Sequence, residues 1–222
     1  MCTVTYLPTK TGFILSSNRD ESPTRAATPL VREKLGNRIV SFPRDLKGGS
    51  WIFSDDLNRV LVVLNGAFKK HSHLPPYRKS RGLIAKEYFT YEDTLDFIRE
   101  LDLNGIEPFT MIIKDQECLW EFRWDEEIKH VQKKNSNTPH IWSSSTLYTS
   151  EIQKLRENWF WANLPNSKTH SLSTAKFIHR SGDIGDPKQN YVMNRENIVR
   201  TVSISHVEIE NARCFFYMDS LL

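Results

Sequence analysis

The sequence is poor in cysteine: Cys2, Cys118 and Cys214 are all that 222 residues hold, odd in number and far apart. That spacing excludes a disulfide framework and fits a reducing compartment, so a cytoplasmic location is expected. Long apolar runs are missing as well. None approaches the roughly 20 residues that cross a bilayer, and no basic segment followed by an apolar one opens the chain, so no membrane insertion is expected. Charge of one sign is also lacking: 30 Lys plus Arg against 27 Asp plus Glu leave a formal +3, too mild to call for nucleic acid as a partner. Gly-rich phosphate loops, internal repeats and low-complexity tracts are absent. His71 and His73 stand two apart in the basic, proline-containing stretch 69–79, but no further ligand lies at metal spacing, so no metal site is expected. No linker divides the chain, and a single domain over residues 1–222 is expected.

What the chain does have is aromatic residues, with six Trp and twelve Phe, many in strand-like runs. Residues 2–7 and 12–17 read as two strands around a turn at Pro8, Thr9, Lys10 and Thr11. Residues 22–47 hold Pro23, Pro29 and Pro43 among charges and read as a surface excursion with one short strand near residues 38–42. A second hairpin follows, with strands 51–54 and 59–64 about Asp55 to Asn58. Two helices are expected near 80–89 and 92–101, the latter burying Leu95, Ile98 and Leu101. Strands at 109–113 and 118–124, helices near 150–164 and 169–181, and two closing strands complete the order. Strands and helices in such blocks suit antiparallel sheets between helix layers, an α+β fold.

The chemistry gathers at the start. A hairpin turning near Thr9 and Lys10 puts Cys2 opposite Ser17, so that Asn18, Arg19, Asp20 and Glu21 emerge beside the chain terminus. Removal of Met1 would leave Cys2 with both a thiol and an α-amine, whose pKa of about 7.7 to 8.0 makes part of it a free base near neutral pH. Arg19 would favour the thiolate, and nucleophile and base would belong to one residue. In the second hairpin Gly48 and Gly49 face Leu64 and Asn65. Glycines there admit a ligand to the backbone, and the Asn65 amide can donate to a developing oxyanion.

The leading Met-Cys strand with Asn18-Arg19-Asp20-Glu21, then Gly-Gly-Ser-Trp at 48–51, Leu-Asn-Gly at 64–66 and Ser-Arg-Gly at 80–82, resembles the NRDE, or Transport and Golgi organisation 2, family. The resemblance implies the four-layer αββα sandwich of N-terminal-nucleophile (Ntn) hydrolases and an amidohydrolase acting on a non-peptide C–N bond of a small molecule. It implies Cys2, Arg19, Asp20 and Asn65 as catalytic residues. Substrate contacts would come from Asn18, Glu21, Gly48, Gly49, Ser144 and Arg195. Where the family usually reads Ser-Asn, this chain has Ser143-Ser144-Ser145, so a hydroxyl replaces an amide donor. The family has also been linked with haem and lipid handling. The alternative expectation is therefore a non-catalytic carrier with haem or a lipid as ligand, for which Cys2, Met193, His140 and His206 are the candidate haem ligands. The oligomeric state is not determined by any of these patterns.

Overall fold

A computed structural model describes residues 3–72 and 75–222. The expectations that fall on Cys2 and His73 lie outside the described residues.

The chain opens with β1 (Thr3–Pro8) and β2 (Gly12–Glu21), an antiparallel hairpin in which Thr3 faces Asn18 and Val4 faces Ser17. The register expected from sequence was two positions away, with the turn one residue later than placed. A slip of two keeps every side chain on its face, so the amphipathic reading of both strands survives it. Next come β3 (Ala27–Leu35) and β4 (Arg38–Asp45), paired over almost their full length. The stretch expected to be a loop is thus an edge hairpin. Its prolines and charges misled because β3 is an outermost strand with half its length exposed, where Pro and charge are tolerated.

Strands β5 (Ile52–Asp55) and β6 (Val60–Asn65) follow. The apolar run Val60 to Leu64 is buried on both faces, as a central strand requires. Helix α1 (Arg81–Glu87) is capped by the Ser80 hydroxyl and α2 (Thr94–Glu100) by the Asp93 carboxylate. In α2 the buried face is Thr94, Phe97 and Ile98; Leu95, expected in the core, is 47% exposed. Strands β7 (Phe109–Lys114), β8 (Leu119–Trp124) and β9 (Lys129–Lys134) complete one sheet, and β10 (His140–Ser143) returns to the first hairpin. Helices α3 (Ser150–Asn163) and α4 (Leu172–Ser181), capped by Thr149 and Ser171, precede β11 (Asn194–Arg195), β12 (Val199–Glu210) and β13 (Arg213–Ser220).

The two sheets are built differently. One runs β3 to β9 in sequence order, a meander of local pairings. The other has the order β10-β1-β2-β12-β11, with β13 also on β12, and so joins the two ends of the chain. Between the sheets and out to α1 and α2 lies one apolar core, in which Val4, Phe13, Leu15, Trp142 and Val207 from the second sheet join Trp51 and Val62 from the β5–β6 side. A smaller cluster of Leu7, Ile14, Phe160, Ala175, Ile178 and Tyr191 seals α3 and α4 onto the outer face of β1 and β2. The layers are helices, sheet, sheet, helices, the α+β sandwich expected.

Candidate functional site

Strand alternation sorts the Asn18 to Glu21 run onto two faces of β2. Arg19 and Glu21 turn toward the space between the sheets. Arg19 lays its guanidinium 4.4 Å from the centre of the Trp51 ring and donates from Nη2 to Asp45 Oδ2 at 2.7 Å. The same Asp45 oxygen takes Arg25 Nη2 at 2.5 Å, while Oδ1 accepts the amides of Lys47 at 2.9 Å and Gly49 at 2.8 Å. The Asp45 side chain is fully buried, and four donors hold its charge there. Glu21 completes the group by pairing with Arg25 Nη1 at 2.7 Å.

The loop after Asp45 brings in the two glycines. Gly48 sits at φ +80°, a left-handed conformation, on the exposed side of the turn. At Gly49 a Cβ would stand 2.9 Å from Arg25 Nη2 and 3.0 Å from Asp45 Oδ2, so a side chain there would push into this ion-pair group. Asn65 closes the same cleft from the end of β6, and none of the described residues takes up its carboxamide. Its carbonyl accepts the Ser144 hydroxyl at 2.8 Å, which ties β6 to the segment after β10. Ser144, expected to touch substrate, therefore spends its hydrogen on the Asn65 backbone, and its oxygen also meets Thr146 Oγ1 at 2.9 Å.

The fourth wall is one the sequence reading passed over. Arg81, one residue past the α1 cap, leans into the cleft and pairs with Glu107 at 3.1 Å; Glu107 in turn meets His71 Nε2 at 3.1 Å. Burial pulls the Arg81 guanidinium below its usual range, and the Glu107 charge opposes that. The Ser-Arg-Gly signature marked the position, but its reading as a helix start concealed which way Arg81 faces. Asp45, Arg25 and Glu107 carried no signal beyond being charged residues in polar stretches. The whole cleft has a volume of about 210 Å³.

The other face of β2 is turned toward α3 and α4. Asp20 is 3% exposed; it accepts Tyr148 OH at 3.1 Å and Thr201 Oγ1 at 2.5 Å. Asn18 donates to the carbonyls of His179 at 3.0 Å and Tyr191 at 2.7 Å, and its Oδ1 meets His179 Nδ1. With Thr5 Oγ1 at 2.7 Å on its Nε2, His179 fits a neutral ring, and complete burial holds its pKa well below the ordinary value. Arg195 stands outside the cleft on this same side, donating to Leu147 O at 2.9 Å and Gln189 Oε1 at 2.8 Å, with its guanidinium 5.4 Å from the Tyr148 ring.

Of the residues singled out in the sequence, the structure thus brings Arg19, Glu21, Gly49 and Asn65 into one cleft. It sets Gly48 beside it, Ser144 behind Asn65, and Asn18, Asp20 and Arg195 on the far face of the sheet. Met193, His140 and His206 do not line the cleft. Among the described residues no cluster of three or more His, Cys, Asp or Glu is placed to hold a metal ion.

A family model described as Transport and Golgi organisation 2 matches residues 1–211. No curated protein matches the chain. Among solved structures, penicillin V acylase from Agrobacterium tumefaciens is similar at a TM-score of 0.59 and 11% identity, over 100% of this chain and 83% of that one. A mutant of the conjugated bile acid hydrolase from Clostridium perfringens is similar at 0.56 and 11% identity, over 100% of this chain and 89% of that one. At such identities the likeness establishes the Ntn-hydrolase-like fold.

Proposed function

The chain belongs to the Transport and Golgi organisation 2 family, and on that premise we propose that it is an Ntn-type amidohydrolase in which Cys2, once Met1 is removed, attacks the carbonyl carbon of a non-peptide amide. The α-amine of Cys2 accepts the thiol proton and delivers it to the departing nitrogen; water then releases the acyl group. Arg19 favours the thiolate, and Asp20, held still by Tyr148 and Thr201, orients the amine. The Asn65 carboxamide and neighbouring backbone N–H groups receive the oxyanion. Arg195 and Ser144 act at one remove, the first through its packing on Tyr148 and the second through the Asn65 carbonyl.

One observation supports this reading above the others: Arg19, Gly49 and Asn65, drawn from three separate stretches, line a single cleft at the end of the first hairpin. The fold shared with proteins named as an acylase and a hydrolase adds to it. Carriage of haem or a lipid has less support, because charged side chains form much of the cleft wall. The proposal places the protein in the cytoplasm as a single domain. No helix among the described residues is long and apolar enough to cross a membrane.

Intact mass of the purified protein should show Met1 removed, and an amide panel should be cleaved by the wild type and not by Cys2→Ala. A retained Met1, or hydrolysis undiminished in Cys2→Ala, would overturn the mechanism.

A further inference from the structure

A strand at the edge of a sheet carries a row of unpaired N–H and C=O groups that will take up another strand unless something blunts them. Among the described residues five strands lie at sheet edges, and four are blunted. β3 carries Pro29, Arg32, Glu33 and Lys34, and its pairing with β4 slips between Ala27 and Leu30. β9 carries Lys129, Lys133 and Lys134, β10 is four residues long and β11 two. β13 is the exception. Its eight residues include no proline, glycine or lysine, and its register on β12 is unbroken from Arg213 opposite Glu210 to Ser220 opposite Ser203.

Alternation sorts β13 onto two faces. Cys214 and Phe216 stand beside Ile209 and Val207, toward the space between the sheets, with Met218 on the same side. Arg213, Phe215, Tyr217 and Asp219 occupy the other face. Phe215 is 39% exposed although aromatic. On the inner side Cys214 and Phe216 share an open groove of about 530 Å³ with Leu30 and Ile39, themselves 39% and 36% exposed. A long apolar edge thus stands open to water.

The strand is also complementary to itself. When two copies of β13 run antiparallel about a two-fold axis at Phe216, Phe216 meets Phe216, Phe215 meets Tyr217, Cys214 meets Met218 and Arg213 meets Asp219. Each residue keeps its own face, apolar stands against apolar, and the one cation stands against the one anion. Moving the axis to Phe215 sets Arg213 against Tyr217, and moving it to Tyr217 sets Phe215 against Asp219. Asp219 accepts Arg180 of its own chain on Oδ2, and a carboxylate has a second oxygen to accept Arg213 of the other copy.

We propose that the protein forms a two-fold dimer through β13, in which the two six-stranded sheets merge into one continuous sheet. Main-chain hydrogen bonds replace those that the free edge gives to water, the facing aromatic side chains supply apolar area, and the grooves of the two copies close on each other across the axis. The dimer rests on the edge alone and is independent of the hydrolase reading. One strand pair makes a small interface, so a micromolar dissociation constant is expected.

Analytical ultracentrifugation of the wild type, from low micromolar to a few hundred micromolar, should show monomer giving way to a species of twice the mass. Arg213→Asp sets like charges opposite each other on both sides of the axis, and so does Asp219→Arg. Each variant alone should raise the dissociation constant at least about tenfold, and an equal mixture of the two should recover the wild-type value. Oxidation with copper phenanthroline should link Phe216→Cys into a disulfide dimer. It should not link the wild type through Cys214, since the other copy's Cys214 lies four positions along the strand, about 13 Å away. That cross-link reads the register even where a charge variant fails to fold. A wild type that stays monomeric throughout overturns the proposal and leaves the edge to a different protein or to solvent. A dimer indifferent to both charge reversals and to Phe215→Lys overturns it too, as do folded charge variants that fail to associate when mixed.

Discussion

Asp45 illustrates how one side chain organises a site. Its carboxylate fixes Arg19 and Arg25 on one side and the turn amides of Lys47 and Gly49 on the other, so the end of β2, the segment after it that carries Arg25, and the loop after β4 all depend on it. On the opposite face of β2 the important groups are buried imidazoles. His206 meets Ser16 at 2.8 Å and lies 5.6 Å from the His179 ring; burial lowers its pKa from 6.5 to about 4 and holds that of His179 well below its ordinary value. Between about 4 and 6.5 the unfolded chain binds a proton that the folded His206 refuses, so this contribution to stability is full above about pH 6.5 and falls as pH drops toward 4. Urea unfolding between pH 6.5 and 4.5 should show a loss of about 1.4 kcal/mol per pH unit from His206, with His179 acting in the same direction, and His206→Gln should remove the His206 share of the slope. The placement of Arg19 and Glu21 on one face of β2 was legible at this scale, because strand alternation is a matter of local sequence. The role of Asp45 was not, because an Asp in a polar stretch looks the same whether solvated or buried under two arginines.

At the scale of elements, the segments around Asn65 depend on close approach. Gly66 follows β6 at φ +79°, and a Cβ there would fall 2.4 Å from Ser145 Oγ and 2.8 Å from Thr146 Cγ2. Gly66→Ala should therefore cost about 1 to 3 kcal/mol in thermal or urea unfolding. It should also disturb the Ser144 to Asn65 bond and weaken whatever binds at Asn65 more than it weakens the fold. An unchanged melting temperature would show that the turn has room to shift. Element type followed well from period-two alternation and, at α1, from the cap Ser80, whereas the caps Asp93, Thr149 and Ser171 emerged only from the structure. It failed at β3 and β4, where edge position excused proline and charge, and at Leu95, where the Asp93 cap set a helix phase that buries Thr94 and Phe97 instead.

At the scale of the whole molecule, the meander from β3 to β9 needs only neighbours in sequence, but the sheet that carries the NRDE run needs the far end of the chain. β12 pairs with β2 from Gly12 to Glu21, and Thr201 reaches Asp20 across it. A chain ending at residue 198 would leave β2 an open edge and Asp20 without that partner. Such a chain should lose the cooperative melt by circular dichroism, whereas a retained two-state transition would show that the meander and its helices stand alone. By itself the sequence determined the α+β order of elements, the hairpin that presents Arg19 and the glycines beside Asn65, since alternation, turn residues and caps act over a few positions. Only the tertiary structure decided that Asp20 turns away from Arg19 into the Tyr148 side of the sheet. It also decided that Arg81 and Glu107 face Glu21 and Arg25 across one small cleft. Those relations join residues tens of positions apart, and they are set by sheet order and core packing, which no local pattern encodes.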